Sequence, residues 1–185
     1  MTMTWRYRED RATQAAAYLI RRRGGKMSYM KLIKLLYLAD RKALVELGRP
    51  ITFDRFVSMP HGPVLSRTYD LIAAEPDPND ITYWTQHISP RTPEYELSLI
   101  AETPNDQLSP AEEAVLEGVF KQFGHWGRYQ VRDYTHTLPE WKNPGHSSWP
   151  IDVRDVLLAQ GVEEEDAKAI EDALAAESYL ESLVG

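Results

Sequence analysis

Along residues 28–47 apolar side chains recur at Tyr29, Leu32, Ile33, Leu36, Ala43, Leu44 and Leu47. That is the i, i+3/i+4 spacing of a helix with one buried face. Ser28 stands where an N-cap belongs, and its hydroxyl is expected to accept a free N–H of the first turn. Gly48, two residues before Pro50, is a stop signal. Lys31, Lys34, Arg41 and Lys42 line another side, so this helix is expected to show both a core face and a basic face. Upstream, residues 5–23 predict a first helix with Ala12, Ala15, Ala16, Leu19 and Ile20 inward, ended by Gly24-Gly25. Its small alanines suit close packing on the second helix, as in an αα-hairpin.

Downstream, residues 51–57 are β-prone, and His61-Gly62-Pro63 opens an expected third helix over 62–74, with Pro63 in its first turn. Pro76-Asp77-Pro78-Asn79 ends it. Residues 81–87 and 95–100 predict two strands around a five-residue loop, pairing with 51–57 into a small three-stranded sheet. Ser109, Pro110 and Glu112 form a capping box with Pro at N1, starting a helix that runs to about residue 123. Shorter helices follow over 128–137 and 152–158, with a loop rich in Pro, Gly, Trp and His between them. An acidic helix covers 163–183. The predicted fold is mainly α (α+β): a helical bundle with a small antiparallel two- to three-stranded sheet or hairpin. One domain covers residues 1–160, and the acidic C-terminal helix of 161–185 docks on it through Ala167, Ile170, Leu174 and Tyr179.

A chain of 185 residues buries a core without staples. It holds no cysteine, which removes thiolate chemistry and disulfides and fits a reducing cytoplasm. The N-terminal segment is charged where a signal peptide is apolar, and no stretch reaches membrane-span length; the expected location is cytoplasmic. The net charge of −7 is uneven. Residues 1–49 carry 12 Lys+Arg against 4 Asp+Glu, and residues 50–185 carry 9 against 24. Such runs are ordinarily solvated faces; the sharper reading is a basic patch for an acidic partner. Arg21-Arg22-Arg23 falls at a helix C-terminus, where positive charge complements the dipole.

The sequence contains no G-x-S-x-G, H-E-x-x-H, Gly-rich loop with Lys, or G-x-G-x-x-G. Five histidines are scattered, and no catalytic constellation, metal set or cofactor motif emerges. His61-Gly62-Pro63 at a helix start is a candidate anion site, against the simpler reading of a tight turn. The basic second helix leaves nucleic-acid binding open, although the acidic whole and the lack of interleaved aromatics disfavour it.

Three segments then stand out in order: K-L-I-K-L-L-Y-L-A-D from Lys31, H-G-P-V from His61 with Tyr69 six residues after Pro63, and Tyr134-Thr135-His136 followed by Pro139-Glu140-Trp141. Together they resemble the Panacea antitoxin domain, the SocA-like or phage-associated GepA-like family, over roughly residues 8–150. The resemblance implies a non-enzymatic antitoxin of a bacterial or phage toxin–antitoxin pair that neutralises a cognate toxin by protein–protein contact. It carries over Lys31, Leu32, Lys34, Leu35, Leu36, Tyr37, Gly62, Pro63, Val64, Tyr69, His136 and Trp141. Of these, Leu32, Leu36, Tyr37 and Val64 are expected in the core, holding the second helix to the third. Lys31, Lys34, Arg41 and His61 are the expected partner contacts. Alternatives are an adaptor that delivers a bound toxin to an ATP-dependent protease, with the acidic helix as docking element, and a DNA-binding autoregulator.

Overall fold

The computed structural model describes residues 5–185. Residues 1–4, the start of the charged N-terminal segment, lie outside the described residues. Helix α1 (Glu9–Arg22) begins after the expected start at residue 5, and Trp5 is buried ahead of it, outside any helix or strand. Gly24 and Gly25, at φ +100° and +96°, turn the chain into strand β1 (Lys26–Ser28). Helix α2 (Tyr29–Leu47) follows and ends on Gly48 in the left-handed conformation, as the Gly-x-Pro signal indicates. Ser28 occupies the N-cap position without capping: its hydroxyl is buried with no partner, and the Tyr29 N–H bonds Tyr95 O at 2.9 Å.

Helix α2 is the axis of the molecule. Every residue from 31 to 40 is buried, so this stretch of the helix is enclosed on all sides instead of offering a basic face, and the surface is reached again only toward its end, at Val45 and Glu46. Packed around it are α1, α3 (Ser66–Ala73), α5 (Pro110–Phe123), α6 (Arg128–Thr135) and α7 (Val153–Leu158). The predicted capping box of α5 is present: Ser109 Oγ accepts from Glu112 N and Glu112 Oε2 accepts from Ser109 N. Helix α8 (Glu164–Val184) packs on α7 and buries Ala167 and Leu174, while Tyr179 is exposed.

Short elements depart from the expectations. The strand placed at 51–57 is β2 (Phe56–Met59), and residues 62–65 form strand β3 (Gly62–Leu65) instead of a helix start. Pro63 therefore pairs with Ser58 in a hairpin, on an edge strand that tolerates its missing N–H. Residues 83–87 form a short helix, α4 (Tyr83–His87), started by a Thr82/Thr85 capping box, so the expected hairpin reduces to one bridge, Ile88 to Leu99. Strand β4 (Glu96–Ser98) pairs with β1, and β5 (Trp149–Pro150) completes a three-stranded sheet in the order β3-β2-β5. The architecture remains mainly helical with small antiparallel sheets.

Candidate functional site

The three sequence segments, far apart along the chain, meet at Gly62. Backbone pairing of β2 and β3 forces a turn at Pro60-His61, leaving Gly62 at φ +102°, a conformation that glycine adopts without cost. A Cβ there would lie 2.8 Å from Thr135 Oγ1, 2.9 Å from Lys34 Nζ and 3.1 Å from His136 Cδ2. Helix α2 delivers Lys34, whose ammonium donates to Pro63 O at 2.9 Å. The end of α6 delivers Thr135 and His136. The His136 ring stacks flat on Trp141, with centroids 4.4 Å apart, and Trp141 Nε1 donates to Met59 O at 3.0 Å. A lysine, an imidazole and an indole thus close on one hairpin.

The electrostatics follow from burial. Lys34 is 2% exposed and is pulled down to about 7 by desolvation, with the Arg132 charge adding to the effect. His136 is lowered by burial, opposed by a bond to the His61 backbone, and its Nε2 is buried without a partner. Lys34 is withheld from solvent, and the partly exposed His136 ring is held flat against Trp141. The arrangement works as a clasp that fixes the hairpin and points His61 outward.

The other predicted contact residues also face inward, contrary to the expected exposed basic face. Lys31 is buried and closes the C-terminus of α5 by donating to Gly124 O and to Trp126 O, the latter at 2.8 Å. Arg41 forms a charge pair with the fully buried Glu140 at 2.6 Å, and Tyr37 Oη donates to the same carboxylate oxygen at 3.0 Å. Of Lys31, Lys34, Arg41 and His61, only His61 is exposed. Leu32, Leu35, Leu36, Tyr37 and Val64 join one core, with Tyr69 packed against it, although Val64 sits on β3 and not on a third helix. The His61-Gly62-Pro63 segment is a hairpin turn, so no helix N-terminus exists there to hold an anion.

Sequence reasoning passed over the buried acids. Asp40 accepts from the N–H groups of Ile51 and Thr52 and from the Thr52 hydroxyl; burial pushes it up to about 7 against those bonds. Glu112 pairs with Arg11 and with Arg49 Nη2, the latter at 3.1 Å. The capping box announced Glu112, and Asp40 and Glu140 lie inside the first and third segments, but nothing local to either reveals what it binds. No group of three or more His, Cys, Asp or Glu among the described residues is placed to hold a metal ion. No helix of the described residues is long and apolar enough to cross a membrane.

Beside the clasp one aromatic side chain is open to solvent. Trp149 is 48% exposed on β5, opposite Ser58, two residues before the Pro60-His61 turn. A family model described as "Antitoxin SocA-like, Panacea domain" matches residues 32–142, from α2 to just past Trp141. No curated protein and no solved structure gives a significant match.

Proposed function

Because the chain belongs to the SocA-like antitoxin family through its Panacea domain, we propose that it neutralises a cognate toxin by direct contact at the hairpin tip around His61 and Trp149. The supporting observation is the division of labour at Gly62. Lys34 and His136 grip the hairpin from inside, whereas His61 and Trp149 stand exposed at the same end of the sheet. Lys31, Lys34 and Arg41 serve the contact from below by fixing the elements that carry it. An exposed tryptophan on a rigid strand is the type of side chain that dominates protein interfaces.

The test is co-expression with the product of the neighbouring gene, scored by growth rescue and co-purification. The His61→Glu, Trp149→Ala double variant is expected to keep its melting temperature and lose rescue, with binding weakened by roughly 30-fold or more. Rescue and binding equal to the parent remove this surface from the proposal. A neighbouring product that is harmless and unbound removes the antitoxin role itself.

One observation favours adaptor action as a second reading. The last two turns of α8 expose Tyr179, Leu180, Leu183 and Val184, an apolar stripe on an otherwise acidic helix and a natural docking element for a protease. Leu180→Ser with Leu183→Ser should then spare toxin binding and lengthen toxin half-life in the cell. An unchanged half-life rejects this reading.

A further inference from the structure

A cavity of about 430 Å³ opens between the N-terminal segment and the start of β2, and Arg6, Arg55 and Arg67 all reach it. Neither Arg55 nor Arg67 has a carboxylate or hydrogen-bond partner among the described residues, and Arg67 lies over the Tyr7 ring at 5.9 Å; Arg6 turns its Nη1 toward Gly185 at the end of α8. All three side chains are exposed. The one acid in the wall, Asp54, is 1% exposed and turned away. Its Oδ1 accepts from the backbone N–H groups of Arg55 and Arg67 at 2.7 and 3.0 Å, and its Oδ2 from Thr68 N and Thr68 Oγ1 at 2.7 and 2.8 Å. The carboxylate is saturated by these bonds and is not free to neutralise the arginines.

The same carboxylate brings the cations together. Two arginine amides on one oxygen place Arg55 and Arg67 side by side, and the Ser66 N–H to Arg55 O bond of 2.9 Å extends the β2–β3 pairing to that point. Adjacent like charges repel, so this arrangement has an unfilled demand for negative charge. Its walls are firm. Tyr7 is anchored through its hydroxyl to Thr68 Oγ1 at 3.3 Å, and burial raises its phenol well above the ordinary value, so it stays neutral. Phe53 holds φ +55° against the edge of Trp5. A left-handed phenylalanine is a costly conformation of the kind found at ligand clamps.

We propose that this cavity is a binding site for a phosphate-bearing ligand, with Arg55 and Arg67 as its anion clamp. Guanidinium forks match phosphate oxygens two at a time, and the volume suits a small molecule. A lone carboxylate brings one charge against two guanidiniums; a diphosphate brings more charge and more oxygens. The group could come from an inorganic polyphosphate or from a nucleotide.

Titration calorimetry on the full chain in low-chloride buffer, with pyrophosphate and ADP as separate probes, tests the site. One saturable site is expected. Arg55→Gln with Arg67→Gln should weaken binding at least 10-fold, while Arg23→Gln with Lys121→Gln, in the basic cavity beside α5, should leave it unchanged. Because the substituted arginines are exposed, equal melting temperatures will certify the fold. Tighter binding of ADP assigns the ligand to nucleotides; equal or weaker binding assigns it to inorganic polyphosphate. No saturable heat with either probe, or equal affinity in the Arg55/Arg67 variant, overturns the proposal.

Discussion

Gly62 is constrained from two directions at once. Its backbone lies at φ +102°, and a methyl group there would press on Thr135, Lys34 and His136. Gly62→Ala is therefore expected to cost on the order of 3 kcal/mol, combining overpacking with backbone strain. Urea denaturation checks this, and a loss below about 1 kcal/mol counts against so tight a clasp. Lys34 and Asp40 set the pH response. The Lys34 amine titrates near 7 when folded and near its ordinary 10.5 when unfolded. Between those values the unfolded chain binds the extra proton, so this contribution to stability grows from about pH 7 upward. Asp40 works the other way: folded near 7 and ordinarily near 3.8, it contributes stability in acid that is lost as pH rises toward neutrality. The two together place a minimum near neutral pH. Lys34→Met should flatten the alkaline limb of a melting-temperature profile and leave the acid limb. An alkaline limb that persists in the variant assigns it to another group.

Among the elements, α5 shows how one side chain serves two purposes. Glu112 closes the capping box and also neutralises Arg11 and Arg49 while only 1% exposed. Ser109→Ala removes only the cap and should cost about 1 kcal/mol. Glu112→Ala also strands buried positive charge and should cost roughly 3–5 kcal/mol. Chemical denaturation of the pair measures the difference, and equal costs would show the ion pair to be idle. Legibility in the sequence divides along the same line. Helices α2, α5, α6, α7 and α8 carry their own periodicity, with the α5 capping box and the α2 stop at Gly48 as added signals, and their positions follow closely from these. The elements around β2, β3 and α4 are four or five residues long, and tertiary partners decide them. Pro63 suits a helix start as well as an edge strand, and only the pairing with Ser58 selects between the two. The orientation of Lys31 and Lys34 was hidden for a related reason. Their acceptors are carbonyls of residues 63, 124 and 126, which α2's own pattern does not contain. The three motifs were visible in the sequence; that they touch was not.

At the scale of the whole molecule, the basic N-terminal quarter is largely spent internally. Arg11, Lys31, Lys34 and Arg41 hold distant segments together, Arg22 pairs with Glu117, and Arg6 reaches the Gly185 end of α8. The charge asymmetry of the sequence thus becomes a set of long-range tethers. The family match stops at residue 142, whereas α7 and α8 extend the core with Val156, Leu157, Ala167 and Leu174. The tethers from α1 and α2 also set a timetable for synthesis. Arg11 waits for Glu112, Lys31 for Gly124, and Tyr37 and Arg41 for Glu140, each about a hundred residues later. A nascent chain halted at midpoint holds buried-type cations with nothing to bind, so half a protein is not half a fold. A stable fold would then arrive all at once, only after residue 140 has been made, and a message interrupted before that point would leave a product fit only for proteolysis.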